Sequence, residues 1–248
     1  MSSSQNTLKI LLELAEPPYE KTLTELSEGV GIGKSGIYKL LQTLKEENFV
    51  VRDMRTKTYQ LGPVLFRLGN IYSERKGIWE IAKPIMKAIS DITDLTVTLG
   101  ILEGHVPILA YKIDRPGRPS YPMQIGKKFP VNAGVIGKSL IANLPFEERE
   151  TILSEVELQK FNKNSIIDKE VLREEYRIIR ERGWATSNSE HANGWYGIAA
   201  PVVAGERITA CICLAGEKDL FIQKKEENLV QLLQNSAHEI SYRLNLRQ

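Results

Sequence analysis

Cysteine is nearly absent, with two in 248 residues. That excludes a disulfide-stapled secreted scaffold and points to a reducing compartment. Histidine is as sparse: His105, His191 and His238 lie far apart, none with a partner at ligand spacing, so no metal site is expected. Net charge is only +2, from 33 basic and 31 acidic residues. Taken alone, that argues against a strongly basic nucleic-acid coat. No run approaches the roughly 18 apolar residues of a membrane span. The most apolar stretch, Ile198 to Leu214, is interrupted by Gly205-Glu206-Arg207. The opening Met-Ser-Ser-Ser-Gln-Asn has no basic region followed by an apolar run. No signal peptide is therefore expected, and the cytoplasm is the expected location. Internal repeats and low-complexity tracts are missing too.

What remains is an ordinary globular composition, 42% apolar and 26% charged. The length suits two modest domains, on a scale of roughly 100–200 residues each. The charge is unevenly divided. Residues 1–76 hold seven Lys and four Arg against eight Glu and one Asp, while the remainder balances at 22 of each sign. The whole excess lies in the first third.

That first third reads as short helices and one hairpin. Leu8, Leu11, Leu12 and Ala15 follow the spacing of one helix face, and Pro17-Pro18 ends the helix. Thr22-Leu23-Thr24-Glu25 matches a capping box and should open a helix running to about Glu28. Gly29-Val30-Gly31 makes a turn. A second helix starts near Gly33, with Ile37, Leu40, Leu41 and Leu44 on its inner face. Phe49–Arg52 and Thr58–Leu61 are candidate strands around a polar, basic tip. Pro63 then opens a connector helix that fades at Gly77.

The remainder reads as mixed α/β. An apolar helix face of Ile78, Ile81, Ala82, Ile85, Ile89 and Ile92 comes first, with a bend expected at Pro84. Strand-like segments follow at 96–102 and 108–113, and helices at 133–143, 146–156 and 168–182. A hairpin around Ala204-Gly205 and a C-terminal helix through Leu229, Leu232, Leu233, Ala237, Ile240 and Leu244 complete the chain.

A capped helix, a glycine turn and a second apolar-faced helix form a helix-turn-helix pattern. Its second helix fits a major groove and presents early residues to base edges. The outward set is Lys34, Ser35, Gly36, Tyr38, Lys39, Gln42 and Thr43, and the hairpin adds Arg52, Arg55 and Lys57 as a wing along the backbone or minor groove. The bland alternative is a helical bundle with solvated charges.

Several motifs carry a resemblance. They are Leu23-Thr-Glu-Leu26, Gly33-Lys-Ser-Gly-Ile-Tyr-Lys-Leu-Leu41, Phe49-Val-Val-Arg52, Tyr59-Gln-Leu-Gly62, Phe129-Pro-Val-Asn-Ala133, Gly137-Lys-Ser-Leu140, Glu181-Arg-Gly-Trp184 and Gly197-Ile-Ala-Ala-Pro-Val202. In this order, over nearly the whole chain, they resemble the IclR family of bacterial transcription regulators. The resemblance implies an α+β chain: a winged helix-turn-helix over 1–62, a connector helix over 63–77 and a GAF-like effector-binding domain over 78–248. It implies double-stranded DNA as partner on a near-palindromic operator, a homodimer or dimer of dimers, no cofactor, and no enzyme activity. Repression is the commoner mode in the family, activation the other.

By position, the family's effector residues fall on Phe129, Val135, Ile136, Ser187, Gly197, Cys213 and Ala215. The unpaired N–H groups where Phe129–Gly137 enters a helix would attract a carboxylate. A glyoxylate-type sensor has an Asp where Ser187 stands, a Cys at Gly197, and Ser at Cys213 and Ala215. Losing those polar partners argues against a small hydrated acid, since a buried polar ligand atom must be hydrogen-bonded. Gly197 and Ala215 make room. The expectation is a larger, more apolar molecule, an aromatic or other organic acid among the candidates, with Tyr121, Met123 or Tyr196 nearby and Glu190-His191 near the mouth. Plain core filling is the alternative for Cys213 and Ala215.

Gly33-Lys34-Ser35 and Gly137-Lys138-Ser139 echo a phosphate loop, but the Gly required five residues earlier is Glu28 or Asn132. Cys211 and Cys213 sit two apart in an apolar strand without nearby cations in sequence, so buried, inert thiols are expected rather than a redox enzyme. A winged helix that binds protein instead of DNA is the other alternative, and leaves the basic tip without a task.

Overall fold

Caps and turns set the helices of the first unit, Met1–Lys76, in a computed structural model that describes residues 2–115 and 123–247. Helix α1 (Ser3–Leu14) is opened by a capping box on Ser2. A two-residue strand β1 (Glu20–Lys21) follows. Helix α2 (Leu23–Val30) starts on the Thr22/Glu25 capping box, where the Thr22 N–H donates to the Glu25 carboxylate at 2.6 Å. Gly31, at φ +77°, closes it in the left-handed region, and the Ser27 hydroxyl donates to the Ile32 carbonyl at 2.6 Å to fix the turn. Helix α3 (Lys34–Glu46) then runs to the hairpin β2 (Val50–Arg52) and β3 (Tyr59–Leu61), and helix α4 (Pro63–Lys76) ends the unit. The strands pair antiparallel in the order β1-β3-β2. One core holds Ile10, Leu14, Leu26, Ile37, Leu41, Val50 and Tyr59.

The face expected for α1 is corrected. Leu8 and Leu12 are 62% and 58% exposed, and the buried stripe is Asn6, Ile10 and Leu14. The pairs Leu8/Leu12 and Ile10/Leu14 are both apolar at helical spacing, and contact with α2 and α3 selects the second. On α4, Phe66, Leu68, Ile71 and Tyr72 are exposed as well.

The second unit, Gly77–Gln248, is a five-stranded antiparallel sheet with helices on both faces. Helix α5 (Ile78–Thr93) contains Pro84 and leads into β4 (Thr96–Glu103) and β5 (Val106–Ile113). Three helices follow: α6 (Val135–Ala142), α7 (Phe146–Glu155) and α8 (Lys169–Arg182), the last closed by Gly183. Then come β6 (Ala185–Asn188), β7 (Trp195–Ala204), β8 (Arg207–Glu217), α9 (Lys218–Gln223) and α10 (Glu226–Asn245). The strand order is β5-β4-β8-β7-β6.

Strand alternation divides this unit into two cores. Ile198, Ala200, Val202, Ile212 and Leu214 face α5 and α10. Ala199, Cys211 and Cys213 face α6, α7 and α8. On α5, Ile92 is exposed, against expectation, and Met86, Ser90 and Thr93 are buried instead. Helix α6 lies very close to the preceding segment: a Cβ on Gly137 would come within 1.9 Å of the Pro130 carbonyl oxygen, so only glycine fits.

Candidate functional site

Two surfaces carry the chemistry, one in each unit. In the first, α3 begins on Gly33 with no side chain capping its free N–H groups. Such a start attracts a phosphate. Lys34, Ser35, Tyr38, Lys39 and Thr43 are exposed, and Gly36 and Gln42 half-buried, while Ile37, Leu41 and Leu44 are buried beneath them.

The hairpin tip is ordered by Asp53. Its Oδ1 accepts the N–H groups of Arg55 at 2.7 Å and Thr56 at 3.0 Å. These bonds to the ionised form hold the Asp53 carboxyl below its usual value. Arg55 and Lys57 stand exposed at the tip. Arg52 departs from the expected row of outward cations: it is half-buried, its guanidinium 5.4 Å from the Tyr59 ring centre.

In the second unit the sequence-expected positions divide. Val135, Ser187, Gly197 and Ala215 line one cavity together with Gly134, His191, Ala192, Trp195 and Tyr196. Its volume is only about 30 Å³. That is room for a water or two, since one needs roughly 10–15 Å³. The space expected from Gly197 is taken: an added Cβ would lie 3.3 Å from Val135 Cγ2 and 3.1 Å from the Leu214 carbonyl oxygen. Ile136 and Cys213 line neither this cavity nor the larger cleft described next, and belong to the core. Phe129 lines a different, outer cleft of about 440 Å³, bounded by His105, Lys127, Asn132, Glu157, Phe161 and His191 among others. Met123 is half-buried against the same core as Phe129, and Tyr121 lies outside the described residues.

At the start of α6, where an N–H open to a carboxylate is expected, the Gly134 N–H is already paired. The Gly134 N–H donates to Glu190 Oε2 at 3.1 Å, and Glu190 Oε1 accepts from Lys138 Nζ at 2.7 Å. Lys138 is 1% exposed and reaches a second carboxylate, Glu175, at 2.9 Å. A buried ammonium needs such partners. The sequence reading set Lys138 aside as part of a phosphate-loop echo and missed this cluster. The available signal was a lone Lys inside the apolar octad Val135–Ala142.

His191 packs between two rings, 5.3 Å from Phe129 and 4.6 Å from Phe161, centre to centre. Burial, and then the nearby Lys127, lower its pKa, so the imidazole is neutral at pH 7. Its Nδ1 is buried with no hydrogen-bond partner among the described residues. The two thiols lie 3.7 Å apart and fully buried. Burial, with Cys213 beside it, pushes the Cys211 thiol well up. Among the described residues no group of three His, Cys, Asp or Glu is placed to hold a metal, and no helix is long and apolar enough to cross a membrane.

Comparison with known proteins adds the lineage. Residues 3–54 match the IclR helix-turn-helix domain, and residues 71–242 match the bacterial transcriptional regulator IclR C-terminal domain. The chain is 30% identical over 224 residues to the HTH-type transcriptional regulator KipR of Bacillus subtilis, covering 90% of this chain and 89% of that protein. A crystal structure of an IclR transcriptional regulator from Alicyclobacillus acidocaldarius superposes with a TM-score of 0.87 at 26% identity, covering 98% of each chain. An IclR homologue from Microbacterium hydrocarbonoxydans, complexed with 4-hydroxybenzoate, shares the fold at a TM-score of 0.86 and 19% identity, covering 99% of this chain and 100% of that one.

Proposed function

The chain belongs to the IclR family of bacterial transcriptional regulators, and from that premise we propose how it reads DNA and senses its ligand. It is a ligand-responsive regulator with a helix-turn-helix, not an enzyme. The observation that carries the DNA reading is the outward face of α3 beside the ordered tip. Lys34 meets phosphate at the helix start, Ser35, Tyr38, Lys39, Gln42 and Thr43 meet base edges or backbone, and Arg55 and Lys57 meet the flanking backbone. Arg52 supports the wing through Tyr59 rather than meeting DNA directly.

The chain works in the cytoplasm as a homodimer or a dimer of dimers. Exposed Leu8, Leu12, Phe66, Ile71 and Tyr72 support this, because apolar side chains gathered on two helices of one unit gain from a second copy. Two recognition helices would then enter major grooves roughly 34 Å apart on a near-palindromic operator. Residues 1–62 bind DNA, 63–77 connect, and 78–248 sense.

The sensed molecule is a small organic compound held at the inner cavity of Val135, Ser187, Gly197 and Ala215 and the neighbouring cleft of Phe129, with Ile136 and Cys213 in the core behind them. The 4-hydroxybenzoate in the Microbacterium relative supports an aromatic ligand. The ligand shifts DNA affinity only to the extent that it favours one arrangement of the dimer over another. Repression of a metabolic or catabolic operon is the mode we infer.

A gel-shift titration with DNA from the chain's own promoter region tests the reading. Affinity should fall steeply with salt, with a slope set by the phosphates contacted. No binding to that region removes the account.

A further inference from the structure

The tip of the hairpin carries a side chain that contact with phosphate does not account for. Met54 is 76% exposed, the most exposed large apolar side chain among the described residues. It stands beside Arg55 in an otherwise polar tip. Among the described residues, the Arg55 and Lys57 side chains make no ion pair or hydrogen bond, so both cations are free for a partner.

Loose chain does not explain the exposure. Asp53 holds the Arg55 and Thr56 N–H groups, and its own N–H donates to the Thr58 carbonyl at 2.9 Å. The Thr56 and Thr58 hydroxyls lie 2.6 Å apart, and the Thr58 hydroxyl donates to Glu20 Oε2 on β1 at 3.1 Å. Gln60 Nε2 donates to the same oxygen at 3.1 Å. The tip is therefore braced across all three strands before DNA arrives, and little ordering entropy is left to lose on contact.

A rigid tip that pairs one apolar side chain with one free guanidinium suits the minor groove. A row of phosphates offers Met54 nothing. Minor-groove proteins insert apolar side chains, Met among them, at base steps, which partly unstacks the step and bends the duplex. Arginine is drawn into the narrow groove of A·T-rich DNA, where the potential is most negative. The floor of that groove offers only acceptors at A·T pairs, whereas guanine adds an amino donor that faces a guanidinium unfavourably.

We infer that the tip enters the minor groove next to the recognition helix, with Met54 as a wedge at one base step and Arg55 as a reader of A·T over G·C. The inference rests on the DNA reading above, which stops at the flanking backbone, and carries the tip past that backbone into the groove. Lys57, at a left-handed φ of +61°, stays on phosphate. The operator is then specified partly at base pairs that α3 does not touch.

The test uses the full chain and DNA from its promoter region. Hydroxyl-radical footprinting locates the base pairs facing the tip, and these are set in turn to A·T, inosine·C, G·C and diaminopurine·T. Inosine·C keeps the major-groove pattern of G·C without the minor-groove amino group, and diaminopurine·T adds that group to A·T. Binding to the last two should be about fivefold or more weaker than to the first two. Arg55→Lys, which keeps the charge and loses the flat fork, should bring all four within about twofold. Met54→Ala should remove at least about half of the DNA bend read by energy transfer between labelled ends, and Met54→Leu should keep it. Affinities of the unaltered chain that follow the major-groove pattern, or that all agree within about twofold, overturn the inference. So does a bend that is absent in the unaltered complex or unchanged by Met54→Ala. The four-duplex comparison needs no variant, so a misfolded protein cannot shield the inference. Loss of all binding to promoter DNA would instead sink the regulator reading, and the two failures are thus told apart.

Discussion

Replacing Glu190 and Glu175 by glutamine, singly and together, probes the buried Lys138 cluster. In either single variant Lys138 keeps one carboxylate, at 2.9 Å in Glu190→Gln and at 2.7 Å in Glu175→Gln. A hydrogen bond to a charged group contributes about 1.5–3 kcal/mol, and glutamine still offers an amide oxygen, so each single change should cost about 1–2 kcal/mol. Glu175→Gln should sit at the lower end, since that side chain is the more exposed of the two. The double variant leaves an ammonium that is 1% exposed with no carboxylate. Breaking a buried pair in that way costs about 3–5 kcal/mol. The double change should therefore exceed the sum of the singles, with a coupling of about 1 kcal/mol. Urea unfolding followed by tryptophan fluorescence isolates the right unit, because Trp79, Trp184 and Trp195 all lie beyond residue 76. Additivity within about 0.5 kcal/mol, outside which neighbours are expected to fall, would refute the shared-ammonium reasoning.

Three further outcomes follow from the geometry. Lys39→Ala should cost about 1–3 kcal/mol and relax specificity at one position, Lys57→Ala should weaken all DNA sequences alike, and Arg52→Ala should lower the stability of the first unit while leaving the salt slope unchanged; gel shifts and thermal melts separate the three. Gly137→Ala should destabilise the second unit by about 1–3 kcal/mol or more, since the methyl group would meet the Pro130 carbonyl and the core is already full, as urea melts would read. The support that Asp53 gives the wing is complete above the unfolded carboxylate's range, about pH 4, and is lost as pH falls through its lowered folded value. The amide signals of Arg55 and Thr56 should move together in an NMR titration below pH 4; movement centred above pH 4 would contradict the sign.

The sequence disclosed whatever depends on local chemistry. Thr22 and Glu25 announce a helix start because their side chains satisfy N–H groups three residues away. Gly183 likewise marks the end of α8. Choices that depend on distant contacts stayed hidden. Nothing in α1 itself says whether Leu8 and Leu12 or Ile10 and Leu14 turn inward. Strand β6, with the weakly apolar Ala185-Thr-Ser-Asn188, exists through pairing with β7. At the inner cavity, positions on one sheet face could be grouped in advance, but not the volume between them. That volume depends on where Val135 and His191 lie, and the Glu190–Lys138 pair joins residues 52 apart in sequence.

The two-faced strand β8 also bears on how such a sensor diversifies. Ala215 lines the inner cavity, with Cys213 and Cys211 behind it on the same face, while Ile212 and Leu214 are committed to the α5–α10 core. Substitutions at alternate positions can therefore alter the inner cavity and leave the α5–α10 core untouched. One of the unit's two cores thus lies on the side of the strand away from the cavity, so a lineage can vary the cavity wall without dismantling that core.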